Sequence, residues 1–300
     1  MKRRKQRARK RIWLCLLILL GMAVFGKIKR DQKAADIKKE ELIKEKASKK
    51  KVSQKKPDSV LSDLQTRLEN TEKQNANRAV FVEDYTTKEK LILNSRKMES
   101  ASLIKLFIAG AVCEDYAKVA ERLSEETLCE RMRLMICVSD NRSADVLTMA
   151  LAPSDGEKAK ARVTAFCKAH GYNDTEMNAF IDSSDFSGYN YTSARDVGKY
   201  LEDLYTGKLA GSEEILEFMK AQERREKIPA GLPKGVLSAN KTGELSDVQH
   251  DAAIIYLPYR TYSLCVMEDD VLVPVRAVED IQEVSRAVYH YMENVREKKK

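Results

Sequence analysis

Ser102 stands three residues before Lys105 in the segment Glu99-Ser100-Ala101-Ser102-Leu103-Ile104-Lys105-Leu106-Phe107-Ile108, which after the serine is apolar but for that lysine. On a helix the two side chains share one face. The apolar flanks carry the lysine into a buried setting, which disfavours the ammonium and lowers its pKa toward the range of a base. A serine hydroxyl attacks poorly until a neighbour takes its proton, and here that neighbour is one turn away. The chain must fold so that this helix packs inward while Ser102 stays open to a substrate. The plain alternative is an amphipathic helix with a surface lysine, because S-x-x-K is short enough to recur by chance.

Two further patches narrow the choice. Ser139-Asp140-Asn141 follows the apolar run Leu134-Met135-Ile136-Cys137-Val138, and Lys241-Thr242-Gly243 follows Gly235–Asn240 and precedes a strand-like segment. S-x-x-K, S-D-N and K-T-G in this chain order mark class A β-lactamases and penicillin-binding proteins. From about Ser59 to about Met292 the chain resembles the penicillin-recognising serine hydrolases. Within them it is most similar to the class A β-lactamase-like branch, because its third motif is K-T-G and its second begins with serine.

The resemblance implies a fold of the mixed α/β (α+β) class: an antiparallel sheet with flanking helices and an inserted helical subdomain. It also implies roles. Ser102 would attack a carbonyl carbon, with Lys105 taking its proton directly or through a water. Ser139 and Lys241 would pass a proton to the departing nitrogen, and Lys241 would add positive charge beside a substrate carboxylate. Asn141 would orient Lys105 and bind a substrate amide, and Thr242 would help hold the carboxylate. Gly243 precedes Glu244, whose N–H would join that of Ser102 in an oxyanion hole; each such donor contributes ~3 kcal/mol to transition-state stabilisation. Asp140 would brace its loop. The function implied is a membrane-anchored, exported serine β-lactamase-like hydrolase acting on β-lactam amides through an acyl-enzyme on Ser102. The alternatives are a D-alanyl-D-alanine carboxypeptidase-type cell-wall peptidase, or a penicillin-binding protein or sensor with slow or no deacylation. No cofactor or metal is expected. The expected substrate is a β-lactam or a peptidoglycan stem peptide, and a monomer is expected.

Two departures from the family pattern bear on turnover. Class A enzymes hydrolyse their acyl-enzyme with a glutamate in an E-x-x-L-N segment, of which Asp174-Thr175-Glu176-Met177-Asn178 is a faint echo. Matching Gly171 and Thr175 to the family's G-x-x-x-T instead brings Ile181 or Asp182 to the base position. Asp174, Glu176 and Asp182 therefore stay open as candidates, each with the alternative of being an ordinary loop acid. The interval from Ser102 to Ser139 is also short, which implies a reduced cleft wall and a more open site.

Charge is distributed unevenly. The chain carries net +8, yet Met1–Arg11 alone is +8, Lys27–Lys56 is +8, and Pro57–Lys300 is −8. An acidic domain argues against a nucleic-acid face. Ile12–Gly26 has no charge and is read as a membrane segment, shorter than the roughly 20 residues that span a bilayer core but flanked by cations that can snorkel. A cleaved signal peptide is the competing reading. The expected organisation is a basic cytoplasmic tail over 1–11, a transmembrane signal-anchor over 12–26, a charged linker over 27–57 and the hydrolase domain over 58–300. The cation bias leaves the N-terminus in the cytoplasm and the domain outside.

Five cysteines fall in the domain, Cys113, Cys129, Cys137, Cys167 and Cys265, all in apolar-patterned segments. Isolated buried thiols are expected, with one or two disulfides as the alternative. His170, His250 and His290 are too scattered for a metal site. His250-Asp251 enters the strand after K-T-G and is read as a structural hydrogen-bonding pair. Periodicity predicts an opening helix over 58–71, strands at 79–84 and 90–94, helices from 102 to about 151 and over 158–170, a helix capped by Thr192 and running through Tyr205, a hairpin of 252–257 with 261–266, and a closing helix over 275–292.

Overall fold

The computed structural model describes residues 64–66, 68, 76–182 and 188–297. The tail, membrane segment and linker expected over 1–57 lie outside the described residues. Among the described residues no helix is long and apolar enough to cross a membrane.

Five strands form one antiparallel sheet. Strand β1 (Asn77–Asp84) folds back on β2 (Lys90–Leu93), and the two-residue strand β3 (Met98–Glu99) pairs with β4 (Tyr191–Thr192). The last three strands, β5 (Leu237–Leu245), β6 (Val248–Leu257) and β7 (Arg260–Asp269), form a meander. The order across the main sheet is β2-β1-β7-β6-β5, so strands from the two ends of the domain are neighbours, with Phe81 opposite Cys265. Strand β5, which carries Lys241-Thr242-Gly243, is an edge strand.

The alternation of side chains along a strand assigns each residue to one face. Ala79, Phe81, Ala252, Ile254, Cys265 and Met267 belong to one core cluster, together with the helical part of the chain. Their neighbours Val80, Val82, Ala253, Ile255, Leu264 and Val266 belong to the other, together with Ile281, Val284 and Val288 of the C-terminal helix. Both faces are covered, which is why these strands read as continuous apolar runs. Burying one such side chain contributes roughly 1.5–3 kcal/mol.

The helices are α1 (Ile104–Glu114), α2 (Tyr116–Leu123), α3 (Glu125–Cys137), α4 (Asn141–Leu151), α5 (Gly156–Ala169), α6 (Ala194–Tyr205), α7 (Ser212–Lys220) and α8 (Pro274–Glu297). Helix α1 is buried from Ile104 to Cys113 and packs against α3, α4 and α5. Helix α6 lies across β1, β6 and β7, and Gly198 allows the approach, since a Cβ there would sit 2.2 Å from the Phe81 ring. Helix α8 covers the opposite face.

The observed elements follow the periodic pattern, with three corrections. The N-cap of α6 is Ser193, whose Oγ accepts from Asp196 N at 3.2 Å. Thr192 is the end of β4, and its Oγ1 is taken by Thr175 Oγ1 at 2.8 Å. Helix α7 is absent from the periodic reading, because its nine residues are too few to establish a period. Cys129 is exposed, while Cys113, Cys137, Cys167 and Cys265 are buried, and all five thiols are free. Cys129 faces outward because α3 turns Leu128 and Met132, not Cys129, toward the core. Of the opening helix, Leu64, Gln65, Thr66 and Leu68 are described; they are helical, and Leu64 and Leu68 are buried.

Candidate active site

Three segments remote in sequence meet at the first turn of α1. Ser102 lies in a short 3-10 turn, Ala101–Leu103, that runs into the helix. Lys105 is on the next turn and fully buried, and its Nζ is 3.1 Å from Ser102 Oγ. The same nitrogen donates to Ser139 O at 2.6 Å, lies 3.2 Å from Ser139 Oγ and donates to Asn141 Oδ1 at 2.7 Å. Burial pushes the Lys105 pKa down to about 8, against the pull of the nearby Asp140 carboxylate. An amine at that value exchanges protons with a hydroxyl near neutral pH, which suits general-base work.

Each segment is held by its own local chemistry. The loop between α3 and α4 is anchored by Asp140, the N-cap of α4, whose carboxylate accepts from Ser143 N at 2.6 Å. This is the bracing role expected of it. Ser139, just before, adopts φ 64°, and Ala101, just before Ser102, adopts φ 44°. Left-handed backbone at non-glycine residues costs free energy and is retained where the surroundings fix it. Ser139 O accepts from Lys105 Nζ, and Ala101 precedes the Ser102 whose Oγ lies 3.1 Å from that nitrogen.

From β5, Lys241 reaches Ser139 Oγ at 2.8 Å and the Thr242 carbonyl at 2.9 Å. Burial first, and the neighbouring Lys105 charge second, hold Lys241 well below the ordinary lysine value. Ser139 Oγ thus sits between two amines, an arrangement through which one proton can pass. Thr242 is buried beside Lys241 and opposite Asp251. Gly243 lies against the turn that carries Ser102, since a Cβ there would meet Ser100 O at 3.2 Å and Ala101 Cβ at 3.3 Å. Glu244 follows, and its carboxylate pairs with Lys227 Nζ at 3.0 Å and Arg224 Nη1 at 3.1 Å.

Lys227 was not recognisable in the sequence. It is buried behind β5 and donates to Gly243 O at 3.3 Å and His250 O at 3.1 Å, so one cation holds both strands of the K-T-G hairpin. His250 and Asp251 are both buried and hydrogen-bonded. The His250 ring joins the Glu99 carbonyl at 2.8 Å to Glu268 N at 3.1 Å, and burial pushes its pKa down to about 4. Asp251 accepts from Ile228 N at 2.9 Å and Asn240 Nδ2 at 3.2 Å.

The cavity over Ser102 is lined by Glu99–Ser102, Asn141, Ala179, Phe180, Ile181, Gly188–Asn190, Glu244 and Leu245. None of Asp174, Glu176 and Asp182 lines it. Glu176 is bonded to Lys97 and Asn178, which hold its carboxyl below the usual range. Asp182 is exposed, and its backbone N–H donates to Asp145 Oδ2 at 2.8 Å. Asp174 donates its N–H to Asp196. Ile181, one of the two positions reached by matching Gly171 and Thr175, does face the cavity. Among the described residues no group of His, Cys, Asp and Glu is placed to hold a metal ion.

The profile of the beta-lactamase enzyme family matches residues 121–292. No curated protein matches the chain. Among solved structures, PBP-A is similar at 22% identity and a TM-score of 0.66, covering 81% of this chain and 100% of that one. A mutant of PBP-A in its acyl-enzyme complex with penicillin G has a TM-score of 0.68 at 22% identity, covering 80% of this chain and 100% of that one. A beta lactamase from Xanthomonas campestris has a TM-score of 0.69 at 18% identity, covering 78% of this chain and 99% of that one. These likenesses establish the fold.

Proposed function

The chain belongs to the beta-lactamase enzyme family, and from that premise we propose that it is a serine hydrolase whose Ser102 is acylated by β-lactams and by cell-wall stem peptides, with slow release of the acyl group. The observation that carries this reading is the Lys105 Nζ, 3.1 Å from Ser102 Oγ with its pKa lowered to about 8, so that its neutral amine is available to accept a proton. Ser102 Oγ bonds to the carbonyl carbon, its proton passes to Lys105, and the carbonyl oxygen is received by the N–H groups of Ser102 and Glu244. Collapse of the tetrahedral intermediate breaks the C–N bond, and the nitrogen leaves with a proton delivered through Ser139 Oγ from Lys241 or Lys105. Asn141 orients Lys105, and Lys241 with Thr242 receives the substrate carboxylate.

Slow deacylation is supported by the described lining of the cavity that contains Ser102. Ala179, Phe180 and Ile181 belong to that lining and none of Asp174, Glu176 and Asp182 does, while the two carboxylates that do, Glu99 and Glu244, come from β3 and β5 and not from the segment that carries the family's water-activating glutamate. A penicillin-binding peptidase or sensor therefore fits the geometry better than a rapid antibiotic-destroying enzyme. The PBP-A mutant of the same fold is an acyl-enzyme complex with penicillin G, which supports acylation by a penicillin. The 15 uncharged residues of Ile12–Gly26 between cationic flanks support anchoring in a membrane, with the domain outside.

A fluorescent penicillin tests the reading. A covalent adduct on Ser102 that persists for many minutes is the expected result. Turnover within seconds would establish a β-lactamase in the strict sense, and no adduct at all would remove the acylation mechanism.

A further inference from the structure

Two acidic side chains belong to the cavity of about 270 Å³ that contains Ser102: Glu99 from β3 and Glu244 from β5. Their surroundings differ. Glu244 is matched by Lys227 at 3.0 Å and Arg224 at 3.1 Å. Glu99 has no cation and no hydrogen-bond donor on its carboxylate among the described residues; its backbone carbonyl alone is engaged, by His250. Lys97, two residues away, is turned to Glu176 and to the Tyr191 ring. Burial and the charge of Asp247, in the turn between β5 and β6, push the Glu99 carboxyl up to about 7.

A half-buried acid with no partner, three residues from a reactive serine, has no evident part in holding the fold. Glu99 is not needed for the turn that carries Ser102 either, because that turn is fixed through the Glu99 carbonyl and through Ser100 N, which donates to Asn190 O at 2.8 Å. The cations of the site gather elsewhere: Lys105 and Lys241 converge on Ser139, on the side proposed for the leaving group. The amines thus cluster at Ser139, and Glu99 lines the cavity over Ser102 as an acid without a counter-charge.

We propose that Glu99 is a specificity-determining residue that selects acyl donors carrying a primary ammonium on the acyl side of the scissile bond, such as a peptide with a diamino acid close to the bond. This rests on the acylation of Ser102 proposed above. An ammonium entering from the cavity would meet Glu99 in a partly water-excluded place and hold it as the carboxylate, while the donor's own carboxylate lies toward Lys241. A donor with the same amine acetylated would leave Glu99 buried without a counter-charge, which penalises it.

The test uses the 300-residue chain and three peptide thioesters that are identical except for one side chain: a free amine, its acetylated form and its succinylated form. Each acylates by forming the Ser102 ester and releasing the thiol, and second-order rates are read by mass spectrometry of the adduct. The expected result is that the wild type prefers the amine over the acetylated donor by at least about 10-fold. That ratio should fall to within about 2-fold of unity in Glu99→Gln, and Glu99→Lys should favour the succinylated donor. Because each ratio is taken within one protein, partial misfolding of a variant lowers both rates and leaves the ratio readable. Equal wild-type rates, or an undiminished ratio in Glu99→Gln, would overturn the role of Glu99 while leaving acylation intact. Failure of all three donors to modify Ser102 would overturn the acylation reading and this inference with it.

Discussion

Lys105 is tied to Ser139 at two points, donating to its backbone carbonyl at 2.6 Å and lying 3.2 Å from its hydroxyl. One amine thereby sets both the course of the chain and the position of a side chain in the loop opposite Ser102. The contact spans 34 residues and fastens α1 to the loop before α4, where Ser139 is held at φ 64°. Lys105 is accordingly both a base and a structural tie.

Replacing Lys105 by alanine should slow acylation by at least about 100-fold, within the range for loss of a general base. Lys105→Arg should be nearly as slow, since a guanidinium does not give up its proton. Stopped-flow measurement with a chromogenic cephalosporin reads this directly, and unchanged rates would remove Lys105 from the mechanism.

The same amine predicts a pH profile. Its pKa is about 8, below the ordinary 10.5, so its neutral form grows as pH rises through 8. The acylation rate should climb about tenfold per pH unit below that value and level off above it. For stability, the unfolded chain binds more protons than the folded one between about 8 and 10.5, so this group's contribution rises with pH across that window. A bell whose rising limb is centred near pH 5 would point to a carboxylate base.

Ser102→Ala should abolish covalent labelling by fluorescent penicillin while circular dichroism and the thermal midpoint stay close to those of the parent. Ser102 is only partly buried and starts the helix without capping it through its side chain, so its hydroxyl adds little to the fold. Labelling retained in that variant would move the nucleophile elsewhere.

Ile181→Glu should shorten the lifetime of the penicilloyl adduct by at least about 10-fold, because it adds a carboxylate to the lining of the cavity that contains Ser102. Pulse-chase labelling followed on gels gives the lifetime. No shortening, in a variant that still acylates normally, would show that water activation is not what limits release.

Gly198→Ala should destabilise the domain by about 1–3 kcal/mol or more, the usual cost of overpacking. Its Cβ would lie 2.2 Å from the Phe81 ring, where α6 crosses β1. Urea unfolding would show a lower midpoint at constant slope; an unaltered midpoint would mean that α6 slides freely on the sheet.

The sequence disclosed those parts of the site whose chemistry is also local. Ser102 and Lys105 are legible because a helix brings i and i+3 together. Ser139-Asp140-Asn141 is legible because Asp140 caps the helix that follows it, and Lys241-Thr242-Gly243 because a strand must carry it. The deacylation region was not legible in the same way. Residues 174–182 have no regular period, and their acids are drawn off by partners from elsewhere, Lys97 for Glu176 and Asp145 for the Asp182 backbone. Matching Gly171 and Thr175 offers Ile181 or Asp182, and only the geometry separates the one that lines the cavity of Ser102. Lys227 leaves no sequence signal because its three acceptors come from two strands, and Glu99 leaves none because the absence of a counter-charge is visible only in three dimensions. Residue type does not separate Thr192 from Ser193 as the N-cap of α6, since both cap well, and the pairing of β4 takes Thr192 away.

Helix α1 is enclosed along its whole length from Ile104 to Cys113, with the reactive turn at its outer end. Such a part behaves as a fixed post: any shift of Ser102 would drag ten packed residues through the interior. Adaptation to new acyl donors must then come from the rim, through exchanges at Ile181, Glu99 or Leu245, while the chemistry at the post stays constant.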